Sequence, residues 1–281
     1  MILKTSYKMK PPPSERTIKG NPQGRGNIGC WVINEKSGNK IFDCSGNQDR
    51  YLGDFVNVTW IQGVTGPALY FGGANNYVKL QQWDGGPIVS LVARVKFEQA
   101  IGADEQIATA DSSGSALRIF QFRRSSTGRL QFIVFVGGAP ITITGGTILA
   151  TGLWWDVAAV NDGVQSHIYV NGVSDAVPVN TGNMDMGGAD WSIGIRSQVV
   201  NWAGGLVEDL EGRVEFLYRY DRALNESEIK KLFVNPYCLF EHRMKPLFAV
   251  AAAPPEITAL YMDLSTQIWT IKHSKGLFTK L

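Results

Sequence analysis

The densest acidic set in the sequence consists of Glu208, Asp209, Glu211 and Glu215. Paired carboxyl groups catalyse glycoside hydrolysis when they lie ~5 Å apart, for retention, or ~6.5 to 9.5 Å apart, for inversion. On a β-strand, Glu211 and Glu215 would lie ~13 Å apart, which is too far for either mechanism. This set is therefore predicted to lie on a solvated loop and strand face, and the chain is predicted not to be an enzyme.

Histidine and cysteine form no catalytic or metal-binding pattern. The histidines are scattered along the chain: His167, His242 and His273. The cysteines share no zinc-ligand spacing with them: Cys30, Cys44 and Cys238. No serine lies in a nucleophile-elbow sequence. We therefore predict buried free thiols in a reducing compartment, with a disulfide between Cys30 and Cys44 as the alternative if their strands are neighbours.

Two tryptophans in turn-rich stretches have neighbours suited to binding a sugar. Trp83 is followed by Asp84, and Trp202 is preceded by Asn201. Sugar-binding sites combine an exposed aromatic ring with amide and carboxylate side chains in loops. These four residues are the predicted carbohydrate-binding residues. The alternative is that the tryptophans lie in a subunit contact, where Trp is also enriched.

The composition limits the partners of the chain. Its 281 residues carry a net charge of +2, from 27 basic and 25 acidic residues, so no general attraction to nucleic acid or anionic lipid is expected. No apolar run approaches the ~20 residues that span a bilayer, and the first residues lack a signal peptide, so we expect no membrane insertion. With 44% hydrophobic residues and 31 glycines, the composition favours a sheet protein with tight turns.

Short apolar runs separated by glycine turns predict many β-strands. Residues 89–97 alternate between apolar and polar side chains, which predicts one core face and one solvated face. Segments 116–122 and 129–136 flank turn residues and predict a hairpin, and Asn171-Gly172 predicts a second hairpin with a type I′ turn.

One short helix interrupts the strand pattern after Leu224. Asn225 is a predicted N-cap, Glu228 completes a capping box, and Leu224 can pack on Ile229. Pro236 ends the helix after two to three turns. A helix of this length lies on the body of a domain, and the strands must build the core.

The pattern divides the chain into three parts. Residues 1–26 contain Pro11-Pro12-Pro13 and few apolar side chains, and are predicted to be an extended arm. Residues 27–241 carry the strands and the helix. Residues 242–281 begin with a Pro- and Ala-rich linker and end in an apolar segment without a sheet of its own, which predicts a docking tail that needs a partner.

Four segments, in this order, resemble a laminin-G-like or concanavalin-A-like lectin domain: GCWVINEKSGNKIFDCSGN, GPALYFGGANNYVKL, GLWWDVAAVNDGVQSHIYVNG and GRVEFLYRYDRALNESEIKKLF. The resemblance covers roughly Asn27 to Glu241. It implies an all-β fold, a jelly-roll sandwich of two antiparallel sheets with one short C-terminal helix and extended N- and C-terminal arms. The alternation around Trp31, Trp154 and Trp155 favours core positions for these rings.

The same resemblance bears on Asp43. In DCSGN, residues 43–47, the Asp side chain is predicted to bond back to the chain in a turn. Some relatives of this sandwich bind calcium, so the resemblance also implies Asp43 as a calcium ligand, although spacing identifies no second cluster of oxygen donors. No other cofactor is expected.

A second resemblance rests on shorter strings. NPQGRGNIGCWVINE and NPYCLFE are similar to parts of domains found in tailed-bacteriophage structural proteins. This resemblance implies a head decoration, fibre or tail protein, assembled in the host cytoplasm and located in the virion. It would dock through its arms onto other virion proteins, as a homo-oligomer. The alternative is a carbohydrate-binding module for host surface glycans, and a glycoside hydrolase comes third.

Overall fold

The computed structural model describes residues 10–46, 53–80, 83–112, 117–197 and 206–240, together with four further strands between residues 245 and 280. In chain order the strands are β1 (Asn27–Trp31), β2 (Lys40–Ile41), β3 (Gly53–Val56), β4 (Thr59–Gln62), β5 (Pro67–Gly72), β6 (Tyr77–Lys79), β7 (Val89–Phe97), β8 (Glu105–Ser112), β9 (Leu117–Arg124), β10 (Arg129–Val136), β11 (Ala139–Ile148), β12 (Trp154–Asn161), β13 (Gln165–Val170), β14 (Val173–Ser174), β15 (Val179–Asn180), β16 (Trp191–Ile193), β17 (Arg196–Ser197), β18 (Leu206–Val207), β19 (Glu211–Tyr220), β20 (Lys245–Phe248), β21 (Ile257–Asp263), β22 (Ile268–His273) and β23 (Phe278–Lys280). A helix, α1 (Glu226–Val234), and a 3-10 turn at Cys238–Phe240 follow β19.

Two large antiparallel sheets form the body. Sheet A has nine strands in the order β14-β13-β12-β7-β19-β5-β4, with β1 paired to β19 and β15 paired to β13. Sheet B has eight strands in the order β11-β10-β9-β8-β16-β6-β3-β2. Buried side chains of both sheets, such as Leu91 and Leu217 from sheet A and Phe120 and Phe132 from sheet B, share one core. The predicted all-β sandwich with one short helix is confirmed.

Sheet A is buried on both faces, which corrects one prediction. Val89, Leu91 and the other apolar residues of β7 face the core between the sheets, as expected. On the opposite face Ser90 and Arg94 are also buried, where solvent was predicted. A second apolar cluster covers that face, because α1 and the 3-10 turn pack across it.

Local turn and cap signals are confirmed. β9 and β10 form the predicted hairpin, and β13 and β14 form the second one. Asn171 and Gly172 have φ of 50° and 78°, the left-handed pair that a type I′ turn requires. Asn225 caps α1, and its capping box with Glu228 is complete.

Part of the N-terminal segment that was predicted to be an extended arm packs on the sandwich instead. Residues 10–26 lie on the sandwich, where the Thr17 N–H donates to the Cys44 carbonyl at 2.9 Å and the Ile18 N–H donates to the Leu239 carbonyl at 3.0 Å. Asn21 is buried and donates its amide to the Cys238 carbonyl. Backbone and side-chain hydrogen bonds thus stabilise a segment that is too polar to bury apolar surface. Residues 10–26 therefore belong to the body, which was predicted to begin at residue 27.

The C-terminal segment also differs from its prediction. β20, β21, β22 and β23 pair in sequence as a four-stranded antiparallel sheet, although the sequence was interpreted as having no sheet there. Consecutive strands joined by short connections pair locally, so the segment satisfies its own backbone groups.

The cysteines and tryptophans that were predicted to lie in the core differ in how deeply they are buried. Cys30, Cys44 and Cys238 are buried free thiols, as expected. Trp31 is fully buried, whereas Trp154 and Trp155 are half-buried at the start of β12. None of the described helices is long and apolar enough to cross a membrane.

Candidate functional site

Trp83 lies in the core and not on the surface, so its prediction as an exposed sugar platform was wrong. Its side chain is 2% exposed. The ring makes edge contacts with Phe120 and Trp191, with centroids 4.9 and 5.1 Å apart. The Arg219 guanidinium lies over the Trp83 ring, 3.8 Å from its centroid. The Trp83 ring therefore stabilises a buried cation through a cation–π contact and has no face left for a sugar.

Asp84 belongs to the same structural group. Its carboxylate accepts hydrogen bonds from both terminal nitrogens of Arg219, each at 3.1 Å. Close packing requires glycine nearby, because a Cβ on Gly85 would lie 2.4 Å from the Trp83 ring and one on Gly29 would lie 2.7 Å from the Trp31 ring. The predicted Trp83–Asp84 pair therefore stabilises the core, and its role as a carbohydrate-binding pair is not supported.

Asn201 and Trp202 lie outside the described residues. They fall in the connection between β17 and β18, two strands that pair with each other. The ends of that connection adjoin a group of ion pairs. Arg196 joins Glu208 at 2.7 Å to Asp111 at 3.6 Å, and Arg123 binds Glu208 at 3.2 Å. These charges neutralise one another, and the site prediction for Asn201 and Trp202 stays a prediction.

Two carboxylates of the sandwich, Glu215 and Glu105, are buried and paired with arginine. Glu211 and Glu215 both lie on β19, and Glu215 is fully buried. Its Oε2 lies 3.4 Å from Arg94, which also binds Asp156 at 3.0 Å. Burial raises the pKa of Glu105 to about 7, but this carboxyl is completely buried against Arg124. A substrate cannot reach either group.

Asp43 has the predicted turn role. Its Oδ1 accepts from the backbone N–H groups of Cys30 and Ser45, each at 2.7 Å, and its Oδ2 accepts from the Ser45 hydroxyl at 2.5 Å. The residue is buried, and its oxygens hold β1 against the turn. Among the described residues no cluster of three metal-ligating side chains occurs. The structure thus gives the calcium interpretation of Asp43 no support.

An open cleft lies beside β4, the last strand of sheet A, and we call it the β4 cleft. Its volume is about 630 Å³, within the range of small-molecule sites. Polar and aromatic side chains line it: Lys10, Asn34, Lys36, Trp60, Gln62 and Thr65. The half-buried Trp60 ring packs against Phe55 at 5.5 Å and donates its indole N–H to the Gly38 carbonyl at 2.8 Å.

The free edge of β4 adds backbone groups to this cleft. The Gly63 N–H donates to the Gly66 carbonyl at 2.7 Å, which closes the hairpin between β4 and β5. In an antiparallel pair, alternate residues direct their peptide groups towards the partner strand. The backbone N–H and C=O groups of Ile61 therefore point towards β5, and those of Trp60 and Gln62 point to the open edge. The cleft thus offers backbone donors and acceptors beside an aromatic ring and an amide.

The opposite wall is a loop with an unusual backbone. Ile33 and Lys36 have φ of 55° and 70°, in the left-handed region that non-glycine residues rarely adopt. Ile33 is β-branched and fully buried, so the surrounding structure must hold this conformation. The two residues bracket Asn34, whose amide donates to the Pro11 carbonyl at 2.8 Å. The loop is thereby fixed next to the N-terminal segment.

Lys10 forms the floor of the β4 cleft and joins three parts of the fold. Its Nζ donates to the carbonyls of Ile33 at 3.0 Å, of Glu215 at 2.6 Å and of Pro67. Burial lowers the pKa of Lys10 to about 7, and the charges of Glu215 and Glu35 oppose this shift. The Nζ of Lys10 thus fixes the loop wall, the start of β5 and the middle of β19 in one position.

Sequence reasoning missed the β4 cleft, although one signal was present. In VTWIQG, residues 58–63, Trp60 and Gln62 are two positions apart and share one face of a strand. That spacing places an aromatic ring beside an amide. The proximity of Lys10 and Asn34 has no sequence signal, because both come from segments distant from β4 along the chain.

Comparisons with known proteins identify the family to which the fold belongs. A family model described as the concanavalin A-like lectin/glucanases superfamily matches residues 71–230. No curated protein sequence matches the chain. The binding domain of Paraclostridial mosquitocidal protein 1 is similar in structure, with a TM-score of 0.61 and 13% identity over 92% of this chain and 68% of that chain.

Two further structures share the fold at low identity. Domain 4 of AbnA, a GH43 extracellular arabinanase from Geobacillus stearothermophilus, in complex with arabinotriose, has a TM-score of 0.57 and 16% identity, over 73% of this chain and 97% of that domain. A mutant Trypanosoma rangeli sialidase displaying trans-sialidase activity has a TM-score of 0.57 and 16% identity, over 76% of this chain and 33% of the sialidase.

The buried position of Trp83 predicts a stability defect. Trp83→Ala is expected to lower the free energy of unfolding by about 3–5 kcal/mol, because it opens a cavity and removes the aromatic face from Arg219. Urea denaturation measures the difference. Trp154→Ala, at a half-buried ring, serves as the control and should cost less. A loss below about 1 kcal/mol for Trp83→Ala would contradict its core role.

The lowered pKa of Lys10 predicts a pH dependence of stability. Between pH 7 and 10.5, the unfolded chain binds a proton at Lys10 that the folded chain does not, so stability rises with pH. From pH 7.5 to 9.5, we expect the free energy of unfolding of the native protein to rise by roughly 2 kcal/mol relative to Lys10→Met. Urea titrations at each pH test this. Parallel curves for the two proteins would refute it.

Proposed function

Since the chain belongs to the concanavalin A-like lectin/glucanases superfamily, we propose that it binds a carbohydrate in the β4 cleft. One observation carries the proposal: Trp60 and Gln62 lie on an open strand edge, opposite a loop that is held in a strained conformation. Aromatic rings pack on the apolar faces of sugars, while amide and peptide groups pair with hydroxyls. The cleft combines both kinds of group.

Size and rigidity support this ligand class. A volume of about 630 Å³ suits a short oligosaccharide. Trp60 is held by its hydrogen bond to Gly38, and Asn34 is held by its bond to Pro11. Because these side chains are ordered before binding, the ligand does not have to order them, which favours affinity.

Two structures with a similar fold have a described binding role, which supports the proposal. Domain 4 of AbnA is described in complex with arabinotriose, and the mosquitocidal protein fragment is described as a binding domain. The sialidase is an enzyme, but the similarity covers only 33% of its chain. We propose binding without catalysis, because Glu215 is buried against Arg94 and Asp156 pairs with the same arginine.

Substitution at Trp60 tests the proposed site. Trp60→Ala is expected to weaken binding to the best ligand on a glycan array at least about tenfold, since stacking on the ring is lost. Gln62→Ala changes an exposed side chain outside the core and should weaken binding about threefold to tenfold. Isothermal titration calorimetry measures both.

The control for this test is Trp154→Ala, which removes a half-buried ring outside the β4 cleft and should leave affinity unchanged. Circular dichroism verifies that each variant is folded. Binding that survives both Trp60→Ala and Gln62→Ala would move the sugar site elsewhere, and Trp202→Ala would then be the next variant.

We further propose that the protein is a component of a tailed-phage virion, assembled in the host cytoplasm, that displays the sandwich towards host surface glycans. The flanking strings NPQGRGNIGCWVINE and NPYCLFE support this proposal, since they are similar to parts of phage structural proteins. The separate four-stranded sheet of β20 to β23 supports a docking role for the C-terminal segment. Homo-oligomerisation in the particle is part of the same proposal.

Deletion of residues 242–281 tests the docking role. We expect the full chain to co-sediment with purified particles of the phage that encodes it, and the truncated chain to remain in the supernatant. The sandwich should stay folded, because the described core contacts end at Phe240. Thermal denaturation of the truncated protein provides the control. Equal incorporation of both chains would refute docking through this segment.

A further inference from the structure

The β4 cleft is lined by two lysines, Lys10 and Lys36, and its described lining contains no carboxylate. The Nζ of Lys10 is bound to three carbonyls, so its position is fixed. Lys36 is exposed and makes no ion pair with another described residue. An exposed ammonium group that has no carboxylate partner among the described residues therefore lines the same cleft as Trp60.

The carboxylates behind the cleft are turned to other partners. The Glu215 Oε1 accepts from the N–H and hydroxyl of Thr65 at 2.6 and 2.8 Å, and its Oε2 faces Arg94. The Glu35 Oε1 accepts from the Phe42 N–H at 2.9 Å. Neither carboxylate lines the cleft, and neither forms a described ion pair with Lys36.

The backbone of the loop fixes where Lys36 is presented. A lysine with φ of 70° is disfavoured, because its Cβ crowds the following carbonyl. The conformation places Lys36 on the loop that closes the cleft, next to Asn34. A strained position that presents an unpaired charge above a cleft is typical of a ligand-binding group.

We infer that the ligand of the β4 cleft is an acidic saccharide, whose carboxylate or sulfate group pairs with Lys36 while its ring packs on Trp60. This inference rests on the proposed carbohydrate function and names its ligand class. Hydrogen bonds to a charged group are roughly twice as strong as those between neutral groups. The Asn34 and Gln62 amides would then bind hydroxyls, and Lys36 would select the charge.

The test uses ligands that differ only in charge. Oligogalacturonate and its methyl ester form the carboxylate pair, and a carrageenan oligosaccharide and its desulfated form provide the sulfate pair. Calorimetry with the full chain should give about tenfold tighter binding to the anionic member of at least one pair. Raising the salt concentration from about 0.05 to 0.5 M should reduce that preference, because salt screens exposed charges.

Substitution of lysine separates the inference from the proposed function. Lys36→Gln should remove most of the preference for the anionic ligand and leave binding to the neutral member unchanged. Lys40→Gln is the matched control, because Lys40 is exposed, pairs with Asp54 at 3.4 Å and lies outside the cleft lining. Lys36→Arg should retain the preference.

The outcomes are distinguishable. If the neutral member of each pair binds as tightly as the anionic one and Trp60→Ala weakens both, the carbohydrate function stands and the acidic class is refuted. If the preference survives Lys36→Gln, the role of Lys36 is refuted. If an array of acidic and neutral glycans gives no binding at all, the proposed function fails, and the inference fails with it.

Discussion

Arg219 carries its positive charge into the space between the two sheets, where aromatic rings and a carboxylate compensate it. It is 1% exposed and makes a cation–π contact with Trp83 and a second one with Trp191. Asp84 supplies the opposing carboxylate. Burying a charge without such partners would cost several kcal/mol. One buried guanidinium therefore explains three features: the positions of the Trp83 and Trp191 rings, the close approach of residues 83–86 to Arg219, and the glycine at position 85.

The second constraint is the coverage of sheet A. Its outer face carries Arg94, Glu215 and apolar side chains. If this face were exposed to water, the protein would lose the stabilisation that comes from burying the apolar side chains. The helix and the N-terminal segment cover it from opposite ends of the chain. Lys10 belongs to that cover, and it reaches the edge of the sheet at the β4 cleft. The stability of the sandwich and the shape of the cleft thus depend on the same contacts.

Local signals made much of the fold predictable. The type I′ turn at Asn171-Gly172 and the capping box of Asn225 and Glu228 depend on residues close in sequence, and both are confirmed. The alternation of β7 predicted the strand correctly, but not the burial of its polar face. The candidate site was not predictable in the same way. Trp83 and Trp60 each have a glutamine within two positions in the sequence, and contacts with Phe120, Trp191 and Arg219 make the first a core residue.

The sequence by itself determined the strand and turn pattern and the position of the helix, because these depend on periodicity and local hydrogen bonding; the two-sheet class was implied by the family resemblance. The tertiary structure alone decided which tryptophan lines the cleft, that residues 10–26 belong to the body, and that Lys10 lies under β4. Those features arise between residues such as Lys10 and Glu215, which are distant in the chain. Burial and charge compensation are properties of the packed sheets, and no local pattern encodes them.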